Sequence, residues 1–223
     1  MSETSIQNPA EAPQTPGPGR PRPVWAAAVS DALSPLLVPT YAVAMSMWLT
    51  PLKVIPEGAR FKVTAIVAAL TALLPLLAIV ALMRMGRVSD RSISDRRQRH
   101  WPYLITVICY LGTAYCLMRF GLMWVSVFFF GATVATLVCG LINFFWKISA
   151  HTTALGGLTG LTAWYALTGL TTVNPLVLLT IVLLLSGLTG TSRLLLNRHT
   201  AGQVFAGFGV GFACVLTALF LLN

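Results

Sequence analysis

Residues 122–146 read Leu122-Met-Trp-Val-Ser-Val-Phe-Phe-Phe-Gly-Ala-Thr-Val-Ala-Thr-Leu-Val-Cys-Gly-Leu-Ile-Asn-Phe-Phe-Trp146, without one charged residue. About 20 consecutive apolar residues in a helix cross the hydrocarbon core of a bilayer, so this stretch predicts a membrane span. Working outward, six further apolar segments occupy 24–49, 61–83, 101–119, 152–170, 174–191 and 201–222, and the one at 174–191 can run on to Leu196. The expected fold is all-α: an integral membrane bundle of about seven transmembrane helices. In a bilayer every backbone polar group must be satisfied within the protein, which helices do by themselves.

Composition agrees with that class. Of 223 residues, 56% are hydrophobic and 9% charged, where soluble domains carry roughly 25% charged residues. The net charge of +9 does not point to nucleic acid, because most basic residues lie in one short loop and at span ends. It reads instead as topology signal and phosphate chemistry. Cys109, Cys116, Cys139 and Cys214 sit inside apolar stretches with no CxxC pair, as reduced packing residues do. The six acids, Glu3, Glu11, Asp31, Glu57, Asp90 and Asp95, form no dense cluster, which argues against a two-metal phosphatase or a paired-carboxylate glycosidase.

Residues 1–23 are Pro-rich and polar and predict a disordered tail, lacking the basic-then-apolar pattern of a signal peptide. The membrane domain is expected over 24–223. The turns Pro51–Arg60, Arg119–Gly121 and Thr171–Asn174 are short and force antiparallel neighbours. The loops after the second, fourth and sixth segments then share one side with the N-terminus. His100, His151 and His199 all fall there, with Arg84, Arg87, Arg91, Arg96, Arg97, Arg99, Lys147, Arg193 and Arg198. Lys53, Arg60, Lys62 and Arg119 face the other way. Gly156, Gly157, Gly160, Gly187, Gly190, Gly207 and Gly211 suit close helix packing.

The chemistry is read at the span ends. Lys147-Ile148-Ser149-Ala150-His151 opens one span, and Ser192-Arg193-Leu-Leu-Leu-Asn-Arg-His199 opens another, with Gln203 four residues on. Polar and ionisable groups at membrane depth are costly and point to function. Two imidazoles with an arginine and a serine suit phosphoryl transfer, one His as nucleophile and one as acid. A helix-capping role for His151 is the structural alternative.

These residues resemble the type 2 phosphatidic acid phosphatases, membrane lipid phosphatases related to vanadium haloperoxidases. That family carries the motifs Lys-x6-Arg-Pro, Pro-Ser-Gly-His and Ser-Arg-x5-His-x3-Asp. Ser192, Arg193 and His199 keep the third motif's spacing, and Ser149-Ala150-His151 keeps part of the second; the likeness covers about residues 84–211. The resemblance implies that His199 attacks phosphorus and His151 protonates the leaving oxygen. It implies that Arg193, Ser149 and the Ala150 N–H hold the phosphate, and that no metal or other cofactor is needed. Arg96 and Arg99, three apart, stand for the cations of the degenerate first motif, against a plain topology role. Gln203 replaces the Asp that orients the nucleophile, with Asp90 or Asp95 as possible substitutes. Asp31 reads as an interfacial acid or a partner to an active-site arginine.

The expected function is hydrolysis of a lipid phosphate or pyrophosphate monoester through a phosphohistidine. A catalytically impaired relative that binds lipid phosphate or acts as a scaffold is the alternative, motivated by Gln203. A transporter is disfavoured, as neither repeats nor mid-membrane polar groups occur. The expected partners are the lipid phosphate substrate and membrane lipids. The expected location is a bacterial cytoplasmic membrane. The charge balance puts N-terminus and site in the cytoplasm, although the resemblance points outside.

Overall fold

The computed structural model describes residues 23–87 and 100–222. Every regular element among them is helical: α1 (Val24–Ala32), α2 (Val38–Leu49), α3 (Glu57–Ala68), α4 (Leu74–Arg84), α5 (His100–Arg119), α6 (Met123–Phe145), α7 (Ala150–Thr168), α8 (Pro175–Leu195) and α9 (Ala201–Leu221). A π turn at Ala69–Leu73 joins α3 to α4, so Glu57–Arg84 is one continuous rod. Pro75 sits at its exit, where a missing N–H and a bulky ring disturb the regular ladder.

Five helices among the described residues are long and apolar enough to cross a membrane: Glu57–Arg84, His100–Arg119, Met123–Phe145, Pro175–Leu195 and Ala201–Leu221. Two of the expected seven segments are not among these five. The segment 24–49 is not one helix, because the chain leaves helical form between Ala32 and Val38. Pro35 would collide with the carbonyl four residues back and disfavours helix at Ser34, so α1 ends and α2 starts afresh. The segment at 152–170 is helix α7, rich in Gly and Thr and mostly buried. Thr153, Thr159 and Thr162 return their hydroxyls to carbonyls of the preceding turn, at 2.9, 2.8 and 3.2 Å, so the helix is polar by composition yet satisfied within.

Helix α7 is the axis of the bundle, and its tightest neighbour is α9. A methyl group on Gly156 would overlap the Phe208 carbonyl, and one on Gly211 would overlap the Thr153 carbonyl. On Gly207 it would lie 2.6 Å from the Ser149 carbonyl oxygen, and on Gly160 2.9 Å from that of Phe212. Contacts rise together along both helices, so α7 and α9 are parallel and start at the same end. Backbone thus packs on backbone, as small residues permit in membrane bundles. Gly187 does not join this contact: space around its Cα is open.

Farther from these starts, Trp124, Trp164, Tyr165, Phe128 and Phe129 form an aromatic core with α2 and α5. The Tyr165 hydroxyl is 2.7 Å from Ser46 Oγ, so a phenol buried among apolar side chains keeps a polar partner.

Gly156→Ala and Gly211→Ala should each destabilise the protein by about 1–3 kcal/mol or more, since neither carbonyl can retreat. Gly187→Ala should be neutral or stabilising, by up to about 1 kcal/mol of helix propensity. Melting of the three variants in detergent checks this; equal melting temperatures would refute the backbone contact.

Candidate active site

Four helix ends, of α1, α7, α8 and α9, meet at one cavity of about 520 Å³. It is lined by the ionisable side chains Asp31, His151, Arg193 and His199 with Ser30, by apolar residues such as Val38, Pro39, Phe128 and Val215, and by neutral polar ones such as Tyr103, Thr106, Thr136 and Thr153. Arg193 and His199 are each only 9% exposed. The starts of α7 and α9 lie here together because the two helices are parallel. The positive ends of their dipoles favour an anion.

The step from Arg193 to His199 is a helix ending. The Arg198 N–H donates to the Arg193 carbonyl at 3.1 Å and the Asn197 N–H to that of Leu194 at 2.9 Å. Asn197 has φ 53°. This is the left-handed cap of a Schellman turn, for which Asn is the usual second choice after Gly. The turn brings the chain round so that His199 stands just ahead of α9 while Arg193 stays on the last turn of α8. Arg193 there also complements the negative end of the helix dipole.

His199 is held in one tautomer. Gln203 Oε1 lies 3.2 Å from the Thr200 backbone nitrogen, which can only donate, so the oxygen of this amide must face it. The same oxygen is 3.0 Å from His199 Nδ1. An acceptor on that side requires a proton on Nδ1, which leaves the lone pair of neutral His199 on Nε2. Gln203 also completes a capping box with Thr200, so one residue starts α9 and orients the imidazole.

His151 occupies the first turn of α7. Its Nε2 lies 3.3 Å from Ser30 Oγ and 3.2 Å from the Ser30 carbonyl oxygen. Arg193 Nη1 donates to Ser30 Oγ at 2.7 Å. Ser30 therefore joins His151 to Arg193 from a helix outside the 84–211 region where the motifs lie. Its neighbour Asp31, exposed, is on the same wall.

Ser149 is placed differently from the expectation. It is fully buried and is the N-cap of α7, its hydroxyl accepting from the Thr152 N–H at 3.5 Å. It does not line the cavity, whereas Ala150 does. The cap is thus Ser149, and His151 is not the capping residue. Ala150 is helical with negative φ, so the position does not demand the family's glycine. His100 stacks on Phe144, ring centroids 5.3 Å apart, and is not among the lining residues. Asp90, Arg91, Asp95, Arg96 and Arg99 lie outside the described residues. Ser30 was the residue that span-end motifs did not single out; a polar Ser30-Asp31 pair in an apolar segment was its only signal.

Comparisons with family models, with curated proteins and with solved structures found no match for this chain.

The tautomer can be tested without any substrate. Nitrogen NMR of labelled histidine should find the neutral His199 ring protonated on Nδ1. Gln203→Leu should shift it toward a mixture. A wild-type ring protonated on Nε2 would refute the assignment.

Proposed function

We propose that this chain is a membrane lipid phosphatase that cleaves a lipid phosphate or pyrophosphate monoester through a phosphohistidine. The observation that supports this most is the meeting of His151, Arg193 and His199 on one cavity whose other lining is mostly apolar, with neutral Ser, Thr and Tyr side chains among it. Such a cavity suits a phosphate headgroup joined to a hydrocarbon chain. In this reading the segments α1–α2 and α7 also traverse the bilayer, making seven crossings with the five long helices. The excess of basic residues in the sequence around this end supports a site on the cytoplasmic side, by the positive-inside rule.

The chemistry follows from the side chains. The Nε2 lone pair of His199 attacks phosphorus, and the bond to the leaving oxygen breaks. His151, in protonated form, gives that oxygen its proton. The Arg193 guanidinium neutralises the phosphoryl oxygens as charge spreads over them in the transition state. Water then attacks the phosphohistidine and loses a proton to His151, and inorganic phosphate leaves with His199 restored. Because Arg193 and the two helix N-termini supply positive potential, the scheme calls for no metal.

Gln203 favours a second reading, a lipid-phosphate-binding relative with little turnover. A carboxylate partner would stabilise the imidazolium by charge, and a neutral amide orients the ring without that charge. Binding with negligible phosphate release would decide for this reading.

In detergent-purified protein given a panel of lipid phosphates, His199→Ala should abolish phosphate release. Arg193→Ala should lower it by about 10²–10³-fold, the usual effect of losing one preorganised charge donor. Chelators should have no effect and vanadate should inhibit. Inhibition by chelator that magnesium reverses would contradict the scheme.

A further inference from the structure

We propose that the hydroxyl that contacts the substrate phosphate is that of Ser30 on α1, not that of Ser149. This rests on the phosphatase reading and assigns a residue that the motifs do not contain. Ser34 Oγ accepts from the Leu36 N–H at 3.4 Å and Ser192 donates to the Leu188 carbonyl at 2.8 Å, which leaves Ser30 and Ser149, in different situations. Ser149 Oγ accepts from the Thr152 N–H at 3.5 Å as the cap of α7, and its residue is absent from the cavity wall. Turning it toward a ligand would uncap the helix that carries His151. Ser30 lines the cavity and is 3% exposed. Its Oγ accepts from Arg193 Nη1 at 2.7 Å and lies 3.3 Å from His151 Nε2.

A hydroxyl has one donor proton and two acceptor lone pairs. With Arg193 donating to Ser30 Oγ, the serine proton is directed away from the guanidinium. A phosphate oxygen drawn to Arg193 competes for the same N–H and arrives within reach of that proton. Ser30 then changes from acceptor to donor, giving the anion a hydrogen bond beside the guanidinium. The Ser30 carbonyl, 3.2 Å from His151 Nε2, holds the acid's ring at the same place. Helix α1 packs on α8, so the pair Ser30–Arg193 bridges two helices and α1 becomes part of the site. The chain break at Ser34-Pro35 explains how a serine of the first segment reaches that position: a continuous helix over 24–49 would be a single straight rod.

The test is the affinity of full-length, detergent-purified protein for orthovanadate, with melting temperature alongside. Ser30→Ala should weaken vanadate binding roughly tenfold or more, as expected for losing a hydrogen bond to a charged group. Ser149→Ala should lower the melting temperature but leave affinity within about twofold, since a cap contributes to stability rather than to the anion. Ser30→Thr and Ser30→Val separate hydroxyl from packing, and they serve also where Ser30→Ala does not fold. Thr should bind vanadate and its isostere Val should not. Unchanged affinity in Ser30→Ala or Ser30→Val, or loss of affinity in Ser149→Ala at unchanged melting temperature of that variant, would overturn the proposal. Wild-type protein that binds no vanadate would instead overturn the phosphatase reading beneath it.

Discussion

The contact between the backbones of α7 and α9 is the constraint from which the site follows. Glycines at 156, 160, 207 and 211 remove the side chains that would hold the helices apart, and carbonyls fill the space. Being parallel, the two helices start at the same end of the bundle, where the Ser149 N–H donates to the Gln203 carbonyl at 3.4 Å. That puts the first turn of α7, with His151, beside the residue that precedes α9, His199. A parallel pair joined by a helix needs that helix to run back between the ends, and α8 does so. Its return brings Arg193 to the same level, where the left-handed Asn197 closes the turn. The six-residue interval from Arg193 to His199 is thus the length of a helix ending, not an arbitrary motif spacing.

Gln203 shows how a neutral residue can do part of a carboxylate's work. Its amide oxygen serves the Thr200 N–H and the His199 ring together, which settles both the helix start and the tautomer. Orientation costs no buried charge in this arrangement. In exchange a His199 imidazolium receives no full negative charge from this partner. The wall's carboxylate, Asp31, is exposed and belongs to the α1 side of the cavity.

The residues His151, Arg193, His199 and Gln203 were legible in the sequence because polar groups are rare and expensive in a chain this apolar. The helix-to-helix glycines were legible for a similar reason, their spacing, although Gly187 shares the spacing and faces open space. Hydropathy alone described α7 poorly: a helix surrounded by protein satisfies its threonines internally and need not be apolar. The break after Ala32 comes from Pro35, inside an apolar run whose length by itself fits one span. Ser149 was assigned to phosphate by its place in a motif, while geometry gives it to the helix cap. Ser30 was not legible, because it lies far in sequence from every residue it touches at the site: the first segment carries no motif, and only folding brings it to Arg193 and His151.

The central claim is that Nε2 of His199 becomes phosphorylated. The most direct measurement is an acid-free quench of the full-length protein during turnover of a lipid phosphate carrying radioactive phosphorus, followed by peptide mapping. The account predicts an acid-labile, base-stable label on the peptide that contains His199, absent from His199→Ala. A label on a serine peptide, or turnover without any phosphorylated histidine, would contradict it.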